Sequence, residues 1–295
     1  EPWTRRWDGL EDDVLIDQPH TPESDARFIL DVIPILKDAR YLRVNGKPIL
    51  LVYRAALLSL PVATTTLWRQ LCIDAGVGEI ELAAVESFGF ESPEDYGFDS
   101  TVEFPPHGFD APEVKIKPIK KKKPFEGKAW RYADAAAFYC SQPNPPWKRY
   151  RGVMPAWDNT PRRGRKGYAF TKSSPSRYLT WLGSALKETR AQFSEGERLV
   201  FINAWNEWGE GAILEPDQKN GRAYLEATRN ALLGLTDWKE QLSYLTKNDA
   251  GNDTLARQNA GEMIKAQMEA YQRTLEFMAK KSEGYSPKIS PENLV

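Results

Sequence analysis

The segment Arg198-Leu-Val-Phe-Ile-Asn-Ala-Trp-Asn-Glu-Trp-Gly-Glu-Gly-Ala-Ile-Leu-Glu-Pro-Asp217 runs an apolar stretch straight into two glutamates three residues apart, among indoles and a carboxamide. Leu199 to Trp205 has the alternation and branching of a buried strand, and Gly209 and Gly211 stop it. Glu207 and Glu210 are therefore expected where a strand becomes a loop, the edge at which barrels and open α/β sheets place their chemistry. Strand alternation puts Phe201, Asn203, Trp205 and Glu207 on one face. Two carboxyls in one cleft oppose each other's ionisation and separate into a proton donor and a proton acceptor, the division of labour that glycoside cleavage needs. Trp205 and Trp208 offer flat faces for a pyranose ring, and Asn206 offers a donor and an acceptor to its hydroxyls. The alternative is a strand end whose glutamates are solvated or paired with nearby arginines.

Strands alternate with helices along the chain, which predicts a parallel α/β sheet. The strands are expected at Pro48–Tyr53, Glu79–Val85, Ser100–Phe104, Gly152–Pro155 and Leu199–Trp205. The helices are expected at Thr64–Ala75, Ala129–Tyr139, a segment capped by Ser174 and Pro175 with Tyr178, Leu182, Ala185 and Leu186 as its stripe, and Arg222–Leu233 closed by Gly234.

Asn206-Glu-Trp-Gly-Glu-Gly-Ala-Ile-Leu-Glu-Pro216 resembles the signature of the WbsX-type domain, which is similar to glycoside hydrolase family 99, the endo-α-mannosidase and endo-α-mannanase family. Trp3-Thr-Arg-Arg-Trp-Asp-Gly9, Tyr41-Leu-Arg-Val-Asn-Gly-Lys-Pro-Ile-Leu-Leu-Val-Tyr53 and Val153-Met-Pro-Ala-Trp-Asp-Asn-Thr-Pro-Arg162 resemble further blocks of that domain, in the same order. The resemblance implies a (β/α)8 barrel and a retaining reaction. Glu207 would act as base on the substrate's own 2-hydroxyl, which closes on the anomeric carbon to give a 1,2-anhydro sugar. Glu210 would protonate the leaving oxygen and then activate the incoming water or acceptor. The chain departs from the hydrolase motif at Gly209, where those enzymes carry histidine, and this puts the identity of the sugar in question. WbsX-type domains are associated with O-antigen and other surface-polysaccharide assembly, often beside glycosyltransferases on one chain.

Five βα units do not close a barrel, and the Trp3 block normally follows the third strand. About three units are therefore expected upstream of Glu1, and a chain that begins with Glu rather than Met agrees with a missing beginning. Residues 1–234 are read as the partial barrel and 235–295 as a helical extension. In that extension Met263, Ile264, Met268, Tyr271, Leu275 and Met278 line one face of a helix over 253–281. It is either a linker to a glycosyltransferase domain on a longer chain or a helix that folds back on the barrel.

Other residues carry two readings each. Trp157 would floor the pocket, while Asp158, Asn159 and Arg162 hold hydroxyls or an anionic group; alternatively they form an Asx-type turn with a solvated arginine pair. Tyr53 and Arg54 end the first strand and are candidates of the same kind. Trp3, Arg5, Arg6, Trp7 and Asp8 form either a rim loop or a frayed terminus. The six lysines of Lys115–Lys123 are read as a solvated loop, since no aromatics interleave with them. His20 and His107 have no metal-ligand spacing and receive no role. Glu215-Pro-Asp217 is read as terminating the catalytic loop.

A length of 295 residues with 41% hydrophobic content is enough for a large core. A net charge of −1 argues against nucleic acid or an anionic membrane as the main partner. The partner that the resemblance implies is an oligo- or polysaccharide. Cys72 and Cys140 are expected as free thiols, which fits a reducing compartment. No signal peptide or membrane-spanning run is seen, so nothing in this sequence is expected to enter or span a membrane. The resemblance implies a bacterial cytoplasmic location, peripheral to polysaccharide assembly at the inner membrane. No Asp-x-Asp pair or Gly-rich phosphate loop is seen, and no cofactor or metal is implied. Two functions remain: an enzyme acting on an α-linked hexose, and a catalytically silent glycan-binding or scaffold module.

Overall fold

A computed structural model describes residues 2–5, 10–90, 92–116 and 124–235. Arg6, Trp7 and Asp8 of the rim block, most of the lysine run and the helix expected over 253–281 lie outside them.

The chain opens with an antiparallel hairpin of β1 (Trp3–Arg5) and β2 (Leu10–Ile16). Helix α1 (Pro22–Leu36) follows. It starts sharply because Thr21 and Ser24 form a reciprocal capping box and Pro22 occupies its first turn. Next come β3 (Arg43–Val44) and β4 (Lys47–Val52), joined through Asn45 and Gly46 at φ 48° and 82°, the left-handed pair that a two-residue hairpin turn requires. The remaining elements are α2 (Pro61–Asp74), β5 (Glu81–Glu86), β6 (Ser100–Glu103), β7 (Lys128–Arg131), α3 (Tyr132–Ser141), β8 (Lys148–Val153), α4 (Thr160–Arg163), β9 (Tyr168–Thr171), α5 (Pro175–Gln192), β10 (Val200–Ile202), β11 (Asn206–Glu207), β12 (Ala212–Ile213) and α6 (Ala223–Leu232).

The main sheet has the order β10-β8-β6-β5-β4-β3, and all its pairs except β3 with β4 are parallel. Each successive parallel strand is added on the same side, so the sheet is wound in one direction. Right-handed crossovers then place the helices on one face. Under α1 and α2, Ile29, Ile33, Trp68 and Cys72 pack with Leu50, Leu82 and Ala84. Under α3, α5 and α6, Tyr139, Trp181, Leu182, Tyr224 and Ala227 pack with Val153. The opposite face carries Val44, Ile49, Ala83, Val102 and Tyr150. The result is a mixed α/β fold whose sheet curls as a half-barrel.

Three expectations are corrected. The second unit has no α-helix among the described residues: β5 and β6 are joined through a 3-10 turn at Glu94–Tyr96, so the run is not five regular βα units. The helix expected from Ala129 begins only at Tyr132, because Lys128–Arg131 pairs in parallel with β9 and the Trp130 ring stacks on Phe170 at 5.3 Å. The last strand ends at Ile202 rather than Trp205. Cys72 and Cys140 are free thiols, as expected.

Candidate active site

Beyond β10 the chain stops pairing with β8 and pairs with itself. The Asn203 amide still donates to Val153 O at 2.8 Å, and its side-chain amide donates to Pro105 O at 2.8 Å, which ties the end of β10 to the loop after β6. From there β11 and β12 form a small hairpin, with Asn206 opposite Ile213 and Glu207 opposite Ala212. Leu214 and Glu215 donate to Trp205 O at 2.9 and 2.8 Å, so the backbone at Trp205 belongs to the returning strand and not to the main sheet. The expected single face of Phe201, Asn203, Trp205 and Glu207 therefore does not extend past Asn203. Glu207 and Glu210 instead occupy the tip of the hairpin, just past the C-terminal edge of the sheet.

The loop after β8 holds that tip. Asp158 N donates to Glu210 O at 2.7 Å. Gly211 has φ +65°, and a Cβ there would meet the Asp158 backbone N and O at 2.9 Å, so only glycine fits. The Asp158 carboxylate accepts from Thr160 N at 2.9 Å, an Asx turn that opens α4. Helix α4 then delivers Arg162, whose Nη2 lies 2.8 Å from Glu207 Oε1 and whose Nη1 lies 3.2 Å from Glu210 Oε1. One guanidinium thus bridges both glutamates. The Asx turn and the arginine-paired glutamates, raised above as the alternatives to a sugar site, are both present.

Burial raises the pKa of Glu210; Arg162 and Arg163 oppose the rise, and the charge of Glu207 adds to it. Each ion pair with Arg162 is partly exposed, so it contributes only about 0–1 kcal/mol to stability and acts mainly to orient.

The other expected residues divide into exposed and packed. Trp205 and Trp208 are about half exposed, at 52% and 50%, Asn206 is exposed, and Trp208 Nε1 donates to Glu215 at 3.0 Å. Trp157 is buried in the core beneath α5, and its indole N–H has no hydrogen-bond partner among the described residues. Asn159 is also buried, with Oδ1 accepting from Tyr168 N at 2.5 Å. These two side chains support the loop from behind, whereas Arg162 faces the glutamates. Tyr53 stays half exposed at the end of β4 and belongs to a ring cluster that sequence reasoning missed. Its ring meets Phe88, Phe104 and His107 at 6.3, 5.9 and 6.5 Å, and Arg54 lies 4.3 Å over Phe88. His107 stacks on Phe104, and burial together with the Arg54 charge lowers its pKa. A signal existed: each of these residues lies within four residues of the end of a parallel strand.

A cavity of about 920 Å³ lies between the β1–β2 hairpin, α1 and the end of β4, and Tyr53, Arg54 and Arg162 are on its wall. No helix among the described residues is long and apolar enough to cross a membrane.

Residues 1–228 match the model of the family described as Glycosyltransferase WbsX. Two Xanthomonas campestris pv. campestris proteins, each named Uncharacterized protein WxcX, are 45% identical to the chain over 237 residues. The match covers 80% of this chain and 34% of each relative, so the chain spans about a third of the length of the curated relatives it matches. A solved structure described as a Glycoside hydrolase-like protein aligns over 72% of this chain and 62% of its own, with 14% identity and a TM-score of 0.49. With the family model covering most of its length, the chain belongs to the Glycosyltransferase WbsX family.

Proposed function

We propose that this domain acts on an α-linked, mannoside-like hexose of a surface polysaccharide, cleaving or transferring it with retention through Glu207 and Glu210. The supporting observation is the placement of two carboxylates on one hairpin tip at the C-terminal edge of the sheet, with burial raising the pKa of Glu210. The raised pKa suits Glu210 to the role of proton donor, which leaves the role of base to Glu207.

In this reading Glu207 takes the proton of the 2-hydroxyl, and that oxygen forms a bond to the anomeric carbon as the bond to the leaving oxygen breaks. Glu210 gives its proton to the leaving oxygen. In the second half, Glu210 removes a proton from water or an acceptor hydroxyl, which opens the 1,2-anhydro ring, and Glu207 returns the proton to the 2-oxygen. Arg162 donates to the Oε1 atom of each glutamate.

The second reading, a silent glycan-binding module, is favoured by the same bridge, since one guanidinium engages both carboxylates and offsets part of their charge. Glu207→Gln and Glu210→Gln separate the two. An enzyme loses about 10²–10⁴-fold in turnover of an α-mannoside while still binding the glycan. An α-mannosyl fluoride needs no protonation to depart, so it restores the first step in Glu210→Gln and not in Glu207→Gln. Wild-type protein that binds α-mannosides but never turns them over supports the binding module and removes the enzyme reading.

A further inference from the structure

The loop that delivers Arg162 is strongly basic. Arg162, Arg163, Arg165 and Lys166 fall within five residues, and all four are exposed. Arg165 is paired with Glu126. Arg162 N and Arg163 N both donate to Asn159 O, at 3.1 and 2.9 Å, so the start of α4 holds the backbone of both. A guanidinium has five N–H donors. Arg162 directs one to each glutamate, Nη2 to Glu207 at 2.8 Å and Nη1 to Glu210 at the longer 3.2 Å. Its side chain is 44% exposed, so the remaining donors can meet a ligand.

The charge balance at the hairpin tip changes with the state of Glu210. The charges that act on this carboxyl are those of Glu207, Arg162 and Arg163. Two other acids of the corner are turned elsewhere: Asp158 accepts from Thr160 N, and Glu215 accepts from Trp208 Nε1. A Glu210 that serves as proton donor enters the reaction neutral. Glu207 is then one negative charge facing two guanidiniums, and Nη1 of Arg162 lies beside a carboxyl that no longer holds it as an ion pair. Guanidinium groups take carboxylate and phosphate in a fork, through charge-assisted bonds about twice as strong as neutral ones. A neutral sugar offers no such partner. Arg162 is also on the wall of the cavity of about 920 Å³, whereas neither glutamate is, so an anion can reach the guanidinium without displacing the reacting pair.

We infer that the glycan taken by this site is acidic, bearing a carboxylate as in a hexuronic acid or a phosphate on a hexose hydroxyl, and that Arg162 is the residue that selects it. One arm of the guanidinium stays on Glu207 while the other passes from Glu210 to the anion. Arg163 adds charge without sharing the bridge. This rests on the reading of Glu207 and Glu210 as the reacting pair, and the test keeps the two apart.

The test is calorimetric titration of the full chain with methyl α-mannoside, methyl α-mannosiduronate and methyl α-mannoside 6-phosphate, at low and high salt. At least one acidic glycoside is expected to bind about ten- to a hundredfold tighter than the neutral one at low salt, the range of a charge-assisted hydrogen bond, and salt is expected to reduce the advantage. Which acid binds tighter distinguishes a carboxylate from a phosphate. Arg162→Gln is expected to bring the ratio of acidic to neutral affinity close to one. Arg162→Lys keeps a charge without the fork and recovers part of the ratio, and Arg163→Gln lowers it only slightly. A melting curve on each variant checks that it is folded. Equal affinity for neutral and acidic glycosides, no binding of either acid, or a preference that survives in Arg162→Gln overturns the inference. Turnover of neutral α-mannosides without any acid preference removes the selection and keeps the reacting pair. An Arg162-dependent preference in a protein that turns over no acidic α-hexoside keeps the selection and removes the pair.

Discussion

A Cβ on Gly209 would lie 2.5 Å from Nη2 of Arg162, so the guanidinium occupies the volume that a side chain at position 209 would need. The space between the two glutamates is thus filled by an arginine that arrives from α4.

Gly209→Ala should therefore push Arg162 away from the carboxylates. A displacement of this size at a reacting group costs about tenfold or more in turnover. Thermal stability should change little, because each exposed ion pair is worth only about 0–1 kcal/mol. Activity assays and a melting curve on the same preparation check both halves; equal activity in Gly209→Ala would show that the bridge is incidental.

The pH dependence of turnover should have an alkaline limb set by Glu210. This carboxyl must carry a proton when the leaving oxygen departs, and burial raises its pKa, so the rate falls as pH rises through the raised value. Arg162 opposes the rise. Arg162→Ala should accordingly move the limb to higher pH, with Arg163 and Glu207 as the remaining charges that set it. Rate profiles of the two proteins against pH give the answer, and a limb that moves to lower pH would contradict the assignment of Glu210 as the acid.

Stability should also fall with pH, for a reason remote from the site. Glu103 is buried at the end of β6, and burial pushes its pKa from 4.5 up to about 7 despite Arg151 at 3.1 Å. A carboxyl with a raised folded pKa favours the folded state below its unfolded value, and that contribution is lost as pH rises through the folded one. The melting temperature should therefore decline between about pH 4.5 and 7, and Glu103→Gln should flatten the decline. Melting curves at pH 5 and pH 8 for both proteins are sufficient.

Trp157 should behave as a packing residue. Truncation to alanine removes a buried indole and should cost about 3–5 kcal/mol. Trp157→Phe should cost much less, because it also removes a buried N–H that lacks a partner. Denaturant titration measures both. A phenylalanine variant that stays fully stable but loses glycan affinity would return Trp157 to the pocket floor.

Much of the scaffold was legible from local pattern. The five parallel strands fall within a few residues of their apolar runs, and Ser174 with Pro175 marks the start of α5 where capping chemistry requires it. What escaped was non-local. The pairing of Lys128–Arg131 with β9 depends on Phe170, forty residues from Trp130 in sequence, so a helix former such as Ala129 misled. The end of β10 at Ile202 is decided by hydrogen bonds from Leu214 and Glu215, which no alternation in Leu199–Trp205 encodes. At the site, the motif located Glu207 and Glu210, but the bridge to Arg162 and the rings around His107 join separate strand ends. Residue types alone do not specify such neighbours.

The hydrogen bond from Asp158 N to Glu210 O has a wider consequence, since main chain fixes the tip that carries this carboxyl while the exposed indole of Trp205 packs little. Under the proposed reading, substitutions at Trp205 would alter which sugar is gripped without relocating the proton that is delivered, so that selectivity is free to drift while the hairpin persists.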